Sequence, residues 1–323
     1  MKICLSLFLF ILLSISLFLS PLAEACDLCA IYSATSASGS DGRGFYAGIS
    51  EQFTHYGTLK DSGQTVDNPL GQYLDSSITQ IFSSYDFNNH VGVQLTLPII
   101  VRSFKRVSGA TTETGTVSGL GDMSLTGKFM PYQKFTEHFS FTSHILGGIK
   151  FPTGSTSRLD EELAEGAEDP DASQSAIHGH DLTLGSGSVD GIIGANAFVR
   201  WYRFLGTTDI QYSIRSTGHI DYRFANDLHW NVGLGGYLLL EHNTTLALQA
   251  KVSGEHKGLD SLSGVEAGDT GITSIYIGPD ILLTWKEHLS TNVGSDIPVM
   301  IHNTAFQSVP DYRIRTAMTW HFY

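Results

Sequence analysis

The stretch Leu228-His229-Trp230-Asn231-Val232-Gly233-Leu234-Gly235-Gly236-Tyr237-Leu238-Leu239-Leu240 alternates along most of its length. Leu228, Trp230, Val232, Leu234, Leu238 and Leu240 share one parity, and His229, Asn231, Gly233, Gly235 and Tyr237 share the other. A period of two sends successive side chains to opposite faces of a strand, so one face suits an apolar medium and the other a polar one. The next segment repeats the pattern, with Leu246, Leu248, Ala250 and Val252 set against Gln249, Lys251, Ser253 and Glu255. A soluble sandwich also alternates, so the connections have to decide. Brief gaps fall at Asn88-Asn89, Pro131 to Glu137, Tyr202 to Thr207, Glu241 to Thr244 and Lys286 to His288. Longer gaps separate those hairpins, near 57–71, 104–118, 153–185, 216–226, 255–271 and 300–309. Short turns at one end and long loops at the other mark a bacterial barrel with periplasmic turns and extracellular loops. The expected fold is all-β, a transmembrane antiparallel up-and-down β-barrel of about 12 strands, closed so that no edge stays unpaired.

The N-terminus agrees with export. Lys2 precedes an apolar run from Ile3 to Leu19 broken only by serines, and Ala23-Glu24-Ala25 supplies a small-residue cleavage site. Residues 1–25 therefore read as a signal peptide. Nothing later approaches the roughly 20 apolar residues of a spanning helix, so a membrane-embedded chain must cross with strands. Removing the first 25 of 323 residues leaves 298. Twelve strands would then share about 25 residues each with their connections, which suits one domain. The expected organisation is a signal peptide over 1–25, an N-terminal periplasmic segment over 26–42, and an outer-membrane barrel over 43–323 with both termini periplasmic. Mean hydropathy is zero, and only 16% of residues are charged, as suits a wall that is apolar on one face only. A net charge of −13, with the 19 Lys and Arg scattered, argues against nucleic acid as a partner.

Cys26 and Cys29 are the only cysteines after the signal peptide. A disulfide suits the oxidising periplasm. Two other readings stand beside it: a metal or redox role, for which a lone pair supplies two of zinc's usual four ligands, and lipidation of Cys26. Haem attachment is excluded because Ala30, not His, follows Cys29.

Parity assigns the wall. Val91, Val93, Leu95, Leu97 and Ile99 face outward, as do Ile193, Ala195, Ala197, Val199 and Trp201, with corresponding sets on the neighbouring segments. Trp201, Trp230, Trp285 and Trp320 fall near strand ends, where an interfacial aromatic girdle belongs. Inward, as lumen-lining candidates, lie Arg102, Asp122, Lys128, His144, Lys150 and Asp190, then Arg200, Lys251, Glu255, Tyr276 and Asp280, then Arg313 and Arg315. Mixed charges of this kind either satisfy one another across a polar interior or select a solute.

The loop from Gly154 to Asp181 is acidic, carrying Asp160, Glu161, Glu162, Glu165, Glu168, Asp169 and Asp171 against the single basic Arg158. It ends in His178-Gly179-His180-Asp181, and His178 and His180 are a candidate pair for a transition metal. The composition otherwise predicts a solvated, flexible surface loop. Catalytic motifs are missing: neither Gly185-Ser186-Gly187-Ser188 nor Gly115-Thr116-Val117-Ser118-Gly119 fits the nucleophile elbow, and no His-Glu-x-x-His or phosphate loop occurs.

Three glycine-rich landmarks carry a family resemblance. They are Gly119-Leu120-Gly121-Asp122-Met123, Gly147-Gly148-Ile149-Lys150-Phe151-Pro152-Thr153-Gly154, and Gly185-Ser186-Gly187-Ser188-Val189-Asp190-Gly191, followed later by Gly278-Pro279-Asp280. In order and spacing these resemble the transporter-like outer-membrane proteins grouped under the phenol-degradation MetA pathway. The resemblance covers roughly 45–323 and implies an uptake channel for aromatic or otherwise hydrophobic small molecules. The expected partners are outer-membrane lipid and lipopolysaccharide, a small-molecule solute and the barrel-assembly machinery. No cofactor and no enzymatic activity are expected. The second reading is a structural, metal-linked or redox-linked barrel acting through Cys26 and Cys29, and the third is an outer-membrane hydrolase.

Overall fold

The computed structural model describes residues 44–108, 111–161, 175–286 and 288–322. The expected signal peptide over 1–25 and the Cys26/Cys29 segment lie outside these residues. Seventeen strands follow in chain order: β1 (Gly44–Asp61), β2 (Gln64–Val66), β3 (Tyr73–Asp86), β4 (Val91–Ser108), β5 (Thr111–Leu120), β6 (Ser124–Phe135), β7 (Phe139–Lys150), β8 (Asp190–Trp201) and β9 (Phe204–Ile214), then β10 (Tyr222–Arg223), β11 (Asp227–Leu240), β12 (Thr244–Lys257), β13 (Asp260–Leu262), β14 (Val265–Ala267), β15 (Ile272–Trp285), β16 (Leu289–Asn303) and β17 (Phe306–Phe322). Fourteen of them form one antiparallel sheet that closes where β17 pairs with β1. Within it β2 is a short flap on β1, and β5 and β6 are the upper and lower halves of one stave, both paired to β4. The result is a barrel of 12 staves. Closure pairs the staves on both sides through the body of the wall, where each unsatisfied backbone group would cost several kcal/mol in lipid; beyond Asp296, β16 pairs with β15 alone, and β5 pairs with β4 alone. Among the described residues no helix is long and apolar enough to cross a membrane.

Alternation is strict where the wall is thinnest in sequence information. On β17, Tyr312, Ile314, Thr316, Met318, Trp320 and Phe322 are exposed, while Arg313, Arg315, Ala317, Thr319 and His321 are buried. By sequence, the apolar parity of Tyr312, Ile314, Met318, Trp320 and Phe322 runs one residue out of step with the C-terminal aromatic Tyr323, which lies outside the described residues. In the structure the alternation is unbroken to Phe322, and the irregularity sits higher, where β1 shifts register between His55 and Thr58. The opening stretch forms β11, with Leu234 and Leu238 among the most exposed apolar side chains and Val232 exposed beside them. One charge interrupts this apolar wall: Glu51, on the outer face of β1, accepts hydrogen bonds from Ser77 (2.5 Å) and Thr79 of β3.

All five expected short turns join staves at one end of the barrel. They follow β3, β6, β8, β11 and β15. Aromatics crowd this rim, where Phe45 packs on Phe322 and Trp201 on Phe204, with His288 stacked on Trp320. Trp201, Trp285 and Trp320 all stand here, but Trp230 lies four residues into β11 from the opposite end, its ring against Gly254, where a Cβ would lie 2.4 Å from the indole. The other end is more ordered than its loop-like sequence predicts. The expected gap at 104–118 is a hairpin of β4 and β5, and the expected gap at 300–309 shrinks to Thr304-Ala305 between β16 and β17. In the β4–β5 extension the outer face turns polar, with Ser103, Lys105, Thr114 and Thr116, while Phe104 and Val117 stay inward and Val107 is buried, so ladder hydrogen bonding persists where the outer hydrophobic period stops. Above the rim, β10, β13 and β14 form a small separate sheet that caps this end. Its core is Tyr222 and Phe224 with Leu159, and Asp260 ties it down by accepting from the Tyr222 hydroxyl, the Ala225 N–H and Lys257 Nζ, each at 2.7 Å.

The parity map yields a direct test. Leu234 is 67% exposed on the outer face, whereas Asn231 faces inward, opposite Asp209 on β9, whose Oδ2 is buried with no hydrogen-bond partner. Leu234→Arg should cost about 2–4 kcal/mol, while Asn231→Arg should be tolerated. Heat-modifiable gel migration after refolding in detergent reads the difference, and equal behaviour of the two variants would contradict the map.

Candidate functional site

The connection between β7 and β8 was expected to be a solvated surface loop, and its described part folds into the barrel instead. Residues 175–188 run along the inner face, and Ala176, Ile177, Leu182 and Leu184 are all buried. Ile177 and Leu182 pack with Tyr56, Leu74 and Phe104, and Leu184 packs with Ile78 and Ile100, on the inner side of β1, β3 and β4. Each such apolar side chain contributes about 1.5–3 kcal/mol on burial, enough to outweigh the acidic character of the rest of the loop. The backbone is satisfied along the way: Ala176 N–H donates to Gln72 Oε1 (3.1 Å), Ser308 N–H donates to the Ala176 carbonyl (3.0 Å), and Arg102 donates to the carbonyls of Asp181 (2.7 Å) and Thr183 (2.6 Å).

The two ends of this segment meet at a neck built from the three glycine-rich landmarks. Asp122 turns inward at the break between β5 and β6. Its Oδ1 accepts the Gly154 N–H (3.0 Å), and its Oδ2 accepts the Ser186 N–H (2.9 Å), the Ser186 hydroxyl (2.8 Å) and Lys150 Nζ (2.8 Å). Lys150 also lies 2.8 Å from Asp190 Oδ2 and donates to Ser186 Oγ at 2.8 Å. Gly154 and Gly185 cross so closely that a Cβ on Gly154 would sit 2.6 Å from the Leu184 carbonyl oxygen, and one on Gly185 would sit 2.6 Å from the Gly154 carbonyl. Only glycine permits that approach.

From the neck a chain of buried charge continues around the inner wall. Asp190 pairs with Arg215 (2.9 Å), Arg215 with Asp227 (2.7 Å), and Asp227 with His229 (3.3 Å). A second chain lies on the far wall, where Arg315 bridges Asp296 (2.6 Å) and Asp280 (3.1 Å), with Lys251 at 3.7 Å from Asp280. Of the residues singled out by parity, Asp122, Lys150 and Asp190 thus converge on the neck, and Lys251, Asp280 and Arg315 converge opposite it. Arg313 pairs with Glu255 and stacks its guanidinium over Tyr276 at 4.2 Å. Lys128 stands apart near the short-turn end with Asp86 (2.9 Å) and Tyr46 (2.8 Å), and His144 bonds Asn196 (2.9 Å). Arg200 braces the turn beyond β6 through Ser140 (3.1 Å) and the Thr136 and Glu137 carbonyls. Parity reasoning passed over Arg215, Asp227 and Asp296. Asp296 shares the inward parity of Ser290 and Asn292 and was findable, whereas Arg215 and Asp227 sit at strand ends where the period gives no vote.

Beside the inward segment is a narrow cavity of about 40 Å³, partly open to solvent. Arg102, His180 and Asp181 line one side, and Glu255, Tyr276 and Arg313 line the other. Outside the apolar band, Arg106 binds Glu113 (2.8 Å) and Glu161 (2.5 Å), joining the β4–β5 hairpin to the turn Ser157–Glu161. Burial alone would lower the Arg106 pKa, but hydrogen bonds to the two carboxylates outweigh it, and the net shift is upward. The neck places Ser186 against a lysine, a pairing that elsewhere can activate a nucleophile. Here the Ser186 hydroxyl donates to Asp122 Oδ2 at 2.8 Å, and Lys150 Nζ is shared among Asp122, Asp190 and Ser186, so the pair is held in a structural network. The neck is a brace.

A closed wall, an apolar exterior and a braced inward segment define the class: this is an outer-membrane-type β-barrel. The structure is similar to that of the COG4313 outer membrane channel from Pseudomonas putida F1, with a TM-score of 0.62 and 14% identity over 88% of this chain and 98% of that chain. Weaker likenesses are to the beta domain of the Bordetella autotransporter Brka (TM-score 0.46, 6% identity, 87% of this chain and 100% of that one) and to the CymD monoaromatic hydrocarbon channel (TM-score 0.35, 9% identity, 87% and 89%). No family model and no curated protein matches the chain.

The neck predicts the effect of losing its cation. Lys150→Met leaves Asp122 and Asp190 buried without their shared partner and should cost about 3–5 kcal/mol. Asp122→Asn combined with Lys150→Met should recover part of that loss. Thermal loss of the heat-modifiable form compares the two variants, and an unchanged midpoint in Lys150→Met would remove the brace from the account.

Proposed function

We propose that this chain is an outer-membrane channel that passes small, hydrophobic or aromatic solutes passively, with its short turns and both termini in the periplasm. The observation that carries the reading is the inward segment. It narrows the barrel from one wall and leaves a cavity beside it, lined by cations, carboxylates and Tyr276. A solute with an apolar body and one polar group finds both kinds of contact there. Lipopolysaccharide resists such molecules, and a barrel bypasses it without nucleotide or catalysis. The fold shared with an outer membrane channel supports the reading. So do the landmarks that resemble the MetA-pathway group, since in this chain they build the neck that holds the segment in place. On this reading the inward residues Arg102, Tyr276, Arg313 and their neighbours line the solute path.

The test is uptake by liposomes and conductance in planar bilayers, for the wild type and for a variant in which 157–182 is replaced by a Gly-Ser link, leaving Gly154, Gly185 and the neck intact. Wild type should admit small aromatic solutes such as phenol, and the shortened variant should show conductance several-fold higher. Impermeability of both proteins, once correctly folded, would end the channel reading.

A further inference from the structure

The tip of the inward segment gathers three side chains with metal-ligand donor atoms. His178, His180 and Asp181 each offer one donor atom, and these atoms lie within 4.8 Å of one another. They sit on and just before the four-residue helix Gly179–Leu182, which turns both imidazoles to one side with their rings stacked 5.5 Å apart. Nδ1 of His178 is buried with no hydrogen-bond partner, and the nearest charge to it is Asp269 Oδ2 at 3.5 Å, from the connection between β14 and β15. Leaving a ring nitrogen buried in this way costs free energy unless something else binds it. The Asp181 carboxylate divides its roles: Oδ2 accepts the His178 N–H at 2.9 Å, and Oδ1 faces His180 Nε2 at 3.4 Å. The Asp181 carbonyl is already held by Arg102.

Two imidazoles and two carboxylates form a donor set suited to a divalent transition ion rather than to Ca²⁺ or Mg²⁺, which take oxygen ligands. We propose that His178, His180 and Asp181, joined by Asp269, bind one such ion, with Zn²⁺ as the probe, and that the ion clamps the inward segment to the cap above it. Ligands about 2.0–2.2 Å from a tetrahedral ion lie roughly 3.3 Å apart, so binding draws donors now within 4.8 Å of one another together by up to about 1.5 Å. That movement is within side-chain reach, and the half-open flank at Asp269 gives the ion a way in. Because His180 and Asp181 also line the cavity, the clamp sits at the edge of the space the segment leaves open.

The experiment uses untagged barrel refolded in detergent and stripped with chelator, titrated with Zn²⁺ in competition with a chromophoric zinc indicator. No transport is measured, so the outcome is independent of whether the barrel conducts. Wild type should take up one Zn²⁺ per chain. His178→Ala and His180→Ala should each weaken binding by about a hundredfold or more, and Asp269→Asn by about tenfold. Heat-modifiable migration without zinc confirms that each variant has folded. Absence of stoichiometric uptake by the wild type, or unchanged uptake by the His178→Ala, His180→Ala double variant, overturns the site. Asp269→Asn binding as tightly as the wild type overturns the clamp to the cap.

Discussion

Lys150 sits between two carboxylates, 2.8 Å from each, and the anchorage of the inward segment depends on that contact. Taking three charges out of water costs several kcal/mol per ion, which is recovered only when geometry is good and every remaining donor is used. Here the ammonium meets Asp122, Asp190 and Ser186, and the carboxylates are in turn filled by backbone N–H groups and by Arg215. The arrangement spans β7, β8 and the break between β5 and β6, so it holds the two ends of the inward segment against three staves. Gly154 and Gly185 let those ends cross. Remove the ion triad and the segment keeps its apolar contacts with the wall but loses the point from which it departs.

The wall obeys a simpler rule. Its outward side chains need only be apolar and the right parity, and the interior need only satisfy its charges. Glu51 departs from the rule on the outer face, and the departure is local: two hydroxyls, from Ser77 and Thr79, reach its carboxylate. A carboxylate in that position is less costly than a Lys or Arg would be.

What could be read from residues alone follows the same division. Staves and short turns were legible because a period of two survives single irregularities, such as the bulge between Tyr237 and Leu239. The charges of Lys150, Asp190, Lys251 and Arg315 were legible as inward for that reason too. Their partners were not, since a pairing such as Lys150 with Asp190 depends on cross-strand register, which no single strand reveals. The inward segment was missed because Ile177, Leu182 and Leu184 are few and irregularly spaced within an acidic stretch, so composition outvoted them. The extended β4–β5 hairpin was missed for a different reason: its residues from Thr111 to Leu120 pair through the backbone ladder and polar contacts such as Arg106 with Glu113, with little hydrophobic contrast to announce a strand. The glycine-rich landmarks were legible as landmarks, but that they build one neck emerged only in three dimensions.

The seam that closes the barrel joins the two ends of the described chain, from Phe45 opposite Phe322 to Asp61 opposite Phe306. Its contacts therefore have the greatest sequence separation the fold contains, and their loop-closure entropy falls due last. A chain lacking β17 is not a smaller barrel but an open sheet with two raw edges, one of them β1 along its whole length, each a template for pairing with another chain. Folding is thus a race with a fixed finishing order: eleven staves must wait, partly paired, for a twelfth that is made last. The strict alternation of β17 and the long register it shares with β1 make that final step decisive, because a slip of one residue would turn Arg313 and Arg315 to the lipid and Ile314 and Met318 to the interior.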